Sequence, residues 1–143
     1  MNMVPGVDIE VIGIDNDLVE LEVRASNGIF AGRAKLYENH EASASAAQLL
    51  SGFPIGSTDQ REVTLGTLDE KYAGGGAGLA FRCTDGSGHC VVKVRLRDDD
   101  FGGSIHSATF SIPCEAAAVD EFVQQLRAMT LNLGSNAHLH AAV

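Results

Sequence analysis

The sequence predicts a single α+β domain of about seven mainly antiparallel strands, curved or split into two sheets, with a C-terminal helix packed on one face and a short Ala-rich helix. Three observations carry this. Apolar and polar residues alternate over Leu18–Ala25 and over Leu79–Leu96, where the second run is broken by the turn Asp85-Gly86-Ser87-Gly88. An apolar stripe at helical spacing runs through Glu115–Met129. Asn, Asp and Gly clusters separate the periodic runs and supply the turns. With 143 residues and 45% apolar composition, the chain has the size of one domain and can build a core without staples.

Val7–Ile14 alternates weakly and meets Asp15-Asn16-Asp17, whose side chains favour a turn, so the reading is strand then turn. In the next strand Val19, Leu21, Val23 and Ala25 share one face, and Glu20, Glu22 and Arg24 the other. Asn27-Gly28 then folds Ile29–Tyr37 back as a hairpin partner, with Phe30, Ala34 and Leu36 inward and Arg33 and Lys35 outward. Glu41–Ser51 reads as a short helix with Ala42, Ala46, Leu49 and Leu50 at helical spacing, stopped by Gly52 and Pro54. Arg61–Leu65 is a brief strand. Gly66–Gly78, with Gly74-Gly75-Gly76, reads as a mobile or bulged loop.

After the second hairpin and the polar connection Asp98–Gly103, Ser104–Ile112 places Ala108, Phe110 and Ile112 on one face. Pro113 and Glu115 suit a helix start. Val119, Phe122, Val123, Leu126 and Met129 form the apolar stripe, opposite Asp120, Glu121, Gln124 and Gln125. Gly134-Ser135-Asn136 ends the helix, and residues 134–143 are expected as a loose tail.

Ten Lys and Arg against nineteen Asp and Glu give a net charge of -9, which opposes binding to nucleic acid or anionic membranes and favours a basic protein partner. The N-terminus has no basic segment followed by a long apolar run, and no window approaches a membrane span, so a cytoplasmic, soluble protein is expected. Three cysteines do not make a secreted disulfide framework, and reduced thiols follow.

A two- or four-residue hairpin loop puts Cys83 directly opposite Cys90 on the inner face; a three-residue loop pairs Cys83 with Val91. Core packing is the bland account of these thiols, and a cross-strand disulfide the sharper one. Cys114 stands near the expected helix start, where a thiol pKa can be lowered, but with no basic neighbour in the sequence it reads as a buried structural thiol. His89 stands beside Asp85 and Cys90, but the cysteine spacing does not match a zinc site, and no metal or other cofactor is expected. His40, His106, His138 and His140 are scattered; only His138 and His140 could face one way. Asp98-Asp99-Asp100 lacks the alternate oxygens and final Glu of a calcium loop and reads as solvated. Gly74–Gly78 lacks the Lys-Ser/Thr of a phosphate-binding loop, and no Gly-x-Ser-x-Gly elbow occurs, so no catalytic residue is assigned. Lys93, Arg95 and Arg97 line the outer face of one strand, with Arg82 on the same face of its partner. This basic patch could meet an anionic ligand or acidic partner, or be neutralised by Glu20 and Glu22 if their strand is adjacent.

The run from Cys83 to Arg97, with Asp85-Gly86-Ser87-Gly88-His89, followed by Ala108–Leu126, resembles the C-terminal half of small bacterial proteins, among whose relatives are immunity proteins of wall-associated polymorphic toxins. The resemblance implies a bacterial, cytoplasmic, non-enzymatic binding protein and supplies no catalytic residues. The leading expectation is therefore a protein-interaction domain with toxin neutralisation as its candidate task. The alternative is a small-ligand-binding or enzymatic domain with a pocket near the Gly-rich loop, Asp85 and His89. A homo-oligomer joined through an unpaired edge strand is the third reading.

Overall fold

The computed structural model describes residues 4–99 and 103–142. In chain order the elements are β1 (Gly6–Ile14), β2 (Val19–Ser26), β3 (Ala31–Glu38), α1 (Ala42–Leu50), β4 (Gln60–Gly66), β5 (Gly76–Cys83), β6 (His89–Asp99), β7 (Ile105–Glu115), α2 (Ala116–Ala128) and β8 (Asn136–His140). They form two antiparallel sheets of four strands each, ordered β3-β2-β1-β8 and β4-β5-β6-β7. The α+β class and the antiparallel pairing agree with the sequence reading.

Two-residue periodicity decides which side of each sheet is buried. In the first sheet Val19, Leu21, Val23 and Ala25 are buried, and Val7, Ile9 and Val11 pair with the last three of them on β1. In the second sheet Leu79, Phe81, Val92, Val94, Leu96, Phe110 and Ile112 lie on the inner face. Val119, Phe122, Val123 and Leu126, the stripe of α2, are buried as well. That helix packs along α1 and β8, while β3 approaches β4, β5 and β6, so both sheets and both helices share one core. Each fully buried side chain of this size contributes about 1.5–3 kcal/mol over its exposed state. Among the described residues no helix is long and apolar enough to cross a membrane.

Several elements depart from the sequence reading. Phe30 is 62% exposed because the Asn27 side chain accepts hydrogen bonds from the backbone N–H groups of Ile29 and Phe30, which keeps residues 27–30 in the turn and starts β3 at Ala31. On α1 the buried stripe falls on Ala42, Ala46, Ala47 and Leu50, leaving Leu49 exposed. Pro113 belongs to β7 and not to a helix start. Cys114 bonds toward β6, so the backbone of Pro113 points to the free edge, where a missing N–H costs nothing; its carbonyl accepts from the N–H of Ala142.

The expected loose tail instead holds β8, paired with β1 from Gly6↔His140 to Glu10↔Asn136 and burying Ala137 and Leu139. Its five residues alternate, with Ala137 and Leu139 inward and Asn136, His138 and His140 outward, a short strand signal that the Gly134-Ser135-Asn136 break obscures. Asp98 and Asp99 are not merely solvated: Asp98 Oδ1 accepts the Lys35 N–H at 2.9 Å and Asp99 Oδ2 the Gly74 N–H at 3.0 Å. Asp100 and the middle of the expected Asp98–Gly103 connection lie outside the described residues.

Candidate functional site

Paired rows across the second sheet place its outward side chains. Gln60, Arg82, Val91 and Pro113 form one row; Glu62, Ala80, Lys93 and Ser111 the next; Thr64, Gly78, Arg95 and Thr109 the third. Along β5 the outward residues below Arg82 are only Ala80, Gly78 and Gly76, so the middle of the face is a trough between β4 and β6. Its open upper part is a depression of about 320 Å³ lined by Gln60, Arg61, Glu62, Ala80, Phe81, Arg82 and Lys93.

The lower part of the trough is filled by the chain itself. A Cβ on Gly76 would sit 2.1 Å from the Thr67 carbonyl oxygen, so residues 67–75 can fold back over the sheet only because this position is glycine; one on Gly78 would sit 3.1 Å from Leu68 Cδ1, a contact the leucine side chain can relieve by a few tenths of an ångström. Arg97, the fourth residue of the expected patch, lies beneath this loop and is 2% exposed. Its Nε donates to the Thr67 carbonyl at 3.1 Å, Nη2 to the carbonyls of Tyr72 and Gly74, and Nη1 pairs with Asp99 at 3.1 Å. Arg97 is thus a loop clamp and leaves the surface patch. The clamp also explains why the Gly-rich segment, expected to be mobile or bulged, is tied at Thr67, Tyr72 and Gly74.

Arg82, Lys93 and Arg95 remain exposed together, and among the described residues none of them has an ion pair or hydrogen-bonding side-chain partner. Glu20 and Glu22 cannot neutralise them, because β2 belongs to the other sheet. Glu62 faces Lys93 across the β5 row, about 10 Å of sheet at about 4.8 Å per strand, and makes no ion pair with it.

The outer face of the first sheet is arranged in the opposite way. Arg24 bonds Asp8 at 2.6 Å and Glu10 at 2.9 Å and lies 3.7 Å from Glu22, which also faces Arg33 at 3.8 Å. The Asp8 carboxylate raises the Arg24 guanidinium above its ordinary pKa. Asn136 donates to Asp8, and His138 stands 3.5 Å from it; His138 and His140 share that face with rings 4.5 Å apart. On this face Asp8, Glu10 and Glu22 are paired with arginines.

Asp85 and His89 form a real pair: His89 Nδ1 donates to Asp85 Oδ2 at 2.6 Å, which raises the imidazole pKa and lowers that of the carboxyl. They stand exposed at the hairpin tip, and Asp85 also accepts the Ser87 N–H. The Gly-rich loop adjoins the opposite end of β5, whose eight residues span about 25 Å. The expected joint pocket is therefore not formed. The concavity at the loop, about 350 Å³, is lined by Leu18, Tyr37, Glu38, Asn39 and Gly66–Gly75 residues and not by Asp85 or His89. The more enclosed cavity near His40 and Met129 holds only about 50 Å³, well below the size of a substrate site. His40 Nε2 lies 3.0 Å from the Asp15 carbonyl and 3.2 Å from that of Leu18, a structural role. Among the described residues no group of three His, Cys, Asp or Glu side chains is placed to hold a metal.

Cys83 does pair with Cys90, as the four-residue loop requires, and all three thiols are free. The trough and the position of Cys114 next to Cys90 escaped the sequence reading; strand parity could place Cys90 and Cys114 on one face, but their register comes from the β6–β7 pairing. Comparison with protein-family models, curated proteins and solved structures finds no match.

Proposed function

We propose that this chain is a non-enzymatic protein-interaction domain whose contact surface is the open outer face of the second sheet. The observation that carries the reading is the group of three unpaired cations, Arg82, Lys93 and Arg95, on a shallow trough of an otherwise acidic molecule. Unpaired surface cations beside small residues offer a partner both charge and backbone approach. The net charge of -9 disfavours extended polyanions, so a nucleic acid is not the proposed partner.

The proposed epitope is a cluster of carboxylates on a folded protein. A basic epitope, the expectation from net charge alone, is less favoured because Asp8, Glu10 and Glu22 on the first sheet are already paired with Arg24 and Arg33. The resemblance to immunity proteins makes a bacterial, cytoplasmic, toxin-neutralising role the first to try. The test is a titration of isotope-labelled chain with the toxin-like protein encoded beside its gene, read by amide resonances. Changes confined to β4–β6 and to side-chain signals of Arg82 and Arg95 are expected. A footprint on α2 or the first sheet, or no response from the folded chain, would remove the proposal.

A further inference from the structure

The inner face of the second sheet carries a feature unrelated to the contact surface: its three cysteines stand in one row, Cys83 on β5, Cys90 on β6 and Cys114 on β7. The spacing of this row is not uniform. The Thr84 N–H donates to the His89 carbonyl at 2.9 Å, so the backbone groups of His89 point toward β5 and those of Cys90, one residue on, toward β7. Cys83 and Cys90 are therefore a non-hydrogen-bonded cross-strand pair, the closer kind, with Cα atoms about 4.5 Å apart; Cys90 and Cys114 are the wider kind at about 5.5 Å. Both separations fall in the range a disulfide spans.

Access separates the three thiols. Cys90 and Cys114 are buried, whereas Cys83 is partly exposed and donates weakly to the Gly56 carbonyl at 3.6 Å. Cys90 Sγ donates weakly to the Gly88 carbonyl at 3.8 Å. Burial pushes the Cys90 thiol up to about 11 and the Cys114 thiol up to about 12, so neither is an entry point for an oxidant.

We propose that Cys83 and Cys90 form an oxidation site for hydroperoxides, with Cys83 as the attacking thiol and Cys90 as the resolving one. The Cys83 thiolate attacks one peroxide oxygen, the O–O bond breaks, and a sulfenic acid forms with release of water or alcohol. The Cys90 sulfur then attacks Cys83 Sγ, the S–O bond breaks, and the departing hydroxide takes the Cys90 proton as water. Two thiols and one hydroperoxide become one disulfide, with the peroxide reduced. The raised Cys90 pKa keeps its thiolate fraction small, and the short cross-strand separation offsets this by raising the effective concentration of the two sulfurs. The closed bond removes the S–H that bonds Gly56, and a dithiol reductant restores it.

The test treats the reduced, folded full chain with hydrogen peroxide, alkylates remaining thiols and maps tryptic peptides. Cleavage after Arg82 and Lys93 releases Cys83 and Cys90 in one peptide. That peptide should be lighter by two hydrogens, with Cys114 alkylated. A link between the Cys90 and Cys114 peptides, sulfinic acid on Cys83 with Cys90 still alkylatable, or full alkylation of all three would each overturn the proposal. In Cys90→Ala, Cys83 should pass to sulfinic acid, and in Cys83→Ser the rate of thiol loss should fall by about tenfold or more. An unchanged rate in Cys83→Ser contradicts the entry role. Should a variant not fold, the wild-type map alone decides.

Discussion

Arg97→Ala isolates the clamp that separates buried structure from open surface. The substitution deletes hydrogen bonds to the carbonyls of Thr67, Tyr72 and Gly74 and the ion pair with Asp99. Hydrogen bonds with one charged member contribute about 1.5–3 kcal/mol each, but these share one guanidinium and are not additive. The carbonyls lie on a surface loop that water can reach once the side chain is gone, and Asp99 keeps 28% of its side-chain exposure. The loss therefore falls at the low end of that for breaking a buried pair, about 3 kcal/mol. With a urea m value of about 2 kcal/mol/M, the unfolding midpoint should drop by about 1.5 M. Hydrogen exchange at the amides of Thr67 and Gly74, which bond Gly75 and Asp99, should quicken more than exchange in β1 and β2. Arg97→Lys should recover only part of the midpoint, since an ammonium cannot reach three carbonyls in the guanidinium's planar arrangement. An Arg97→Ala protein with an unchanged midpoint and unchanged loop exchange would refute the clamp.

Phe122→Ala should cost about 3–5 kcal/mol in chemical denaturation, as expected for an aromatic ring with no exposure; a cost below about 1 kcal/mol would mean α2 does not close the core. His89 should titrate above its ordinary 6.5 by NMR, and in Asp85→Asn it should return toward 6.5, because the carboxylate is the main cause of the shift. The raised folded pKa makes the His89 contribution to stability complete below the unfolded value and lost as pH rises through the folded one. His138 should behave oppositely: burial and then His140 lower its pKa, so its contribution is present above the unfolded value and lost as pH falls through the folded one. Equal titration midpoints for the two imidazoles would contradict both environments.

Strands with strict alternation could be read directly, because a slip of one residue would expose a whole apolar set such as Leu79, Phe81, Val92 and Val94. The stripe of α2 was readable for the same reason at helical spacing. Three features were not. β8 alternates over only five residues with two buried side chains, and its choice of β1 as partner is set by tertiary contact, which the pattern does not carry. Pro113 looks like a helix start in sequence and is tolerated in β7 only because its backbone faces a sheet edge. Arg97 obeys the same alternation as Lys93 and Arg95, yet a loop of glycines covers it and leaves them exposed. Periodicity assigned the face of each cation; only the fold of residues 67–75 decided which of them meets solvent.

The candidate surface was partly visible for a related reason. Four outward cations could be named from parity, but whether glutamates faced them depended on strand order, which periodicity does not carry. Placement of β2 and β5 in different sheets answers that question and leaves Arg82, Lys93 and Arg95 unpaired while Arg24 is enclosed by three carboxylates.

The most direct measurement is calorimetric binding of the same toxin-like protein to the wild-type chain and to Arg82→Glu/Lys93→Glu/Arg95→Glu, with the thermal midpoint of each recorded alongside. Exposed, unpaired side chains away from the core should leave the midpoint nearly unchanged while reversing the charge of the face, and binding should fall by about 100-fold or more. A folded triple variant that binds as tightly as wild type would contradict the assignment of this face as the contact surface.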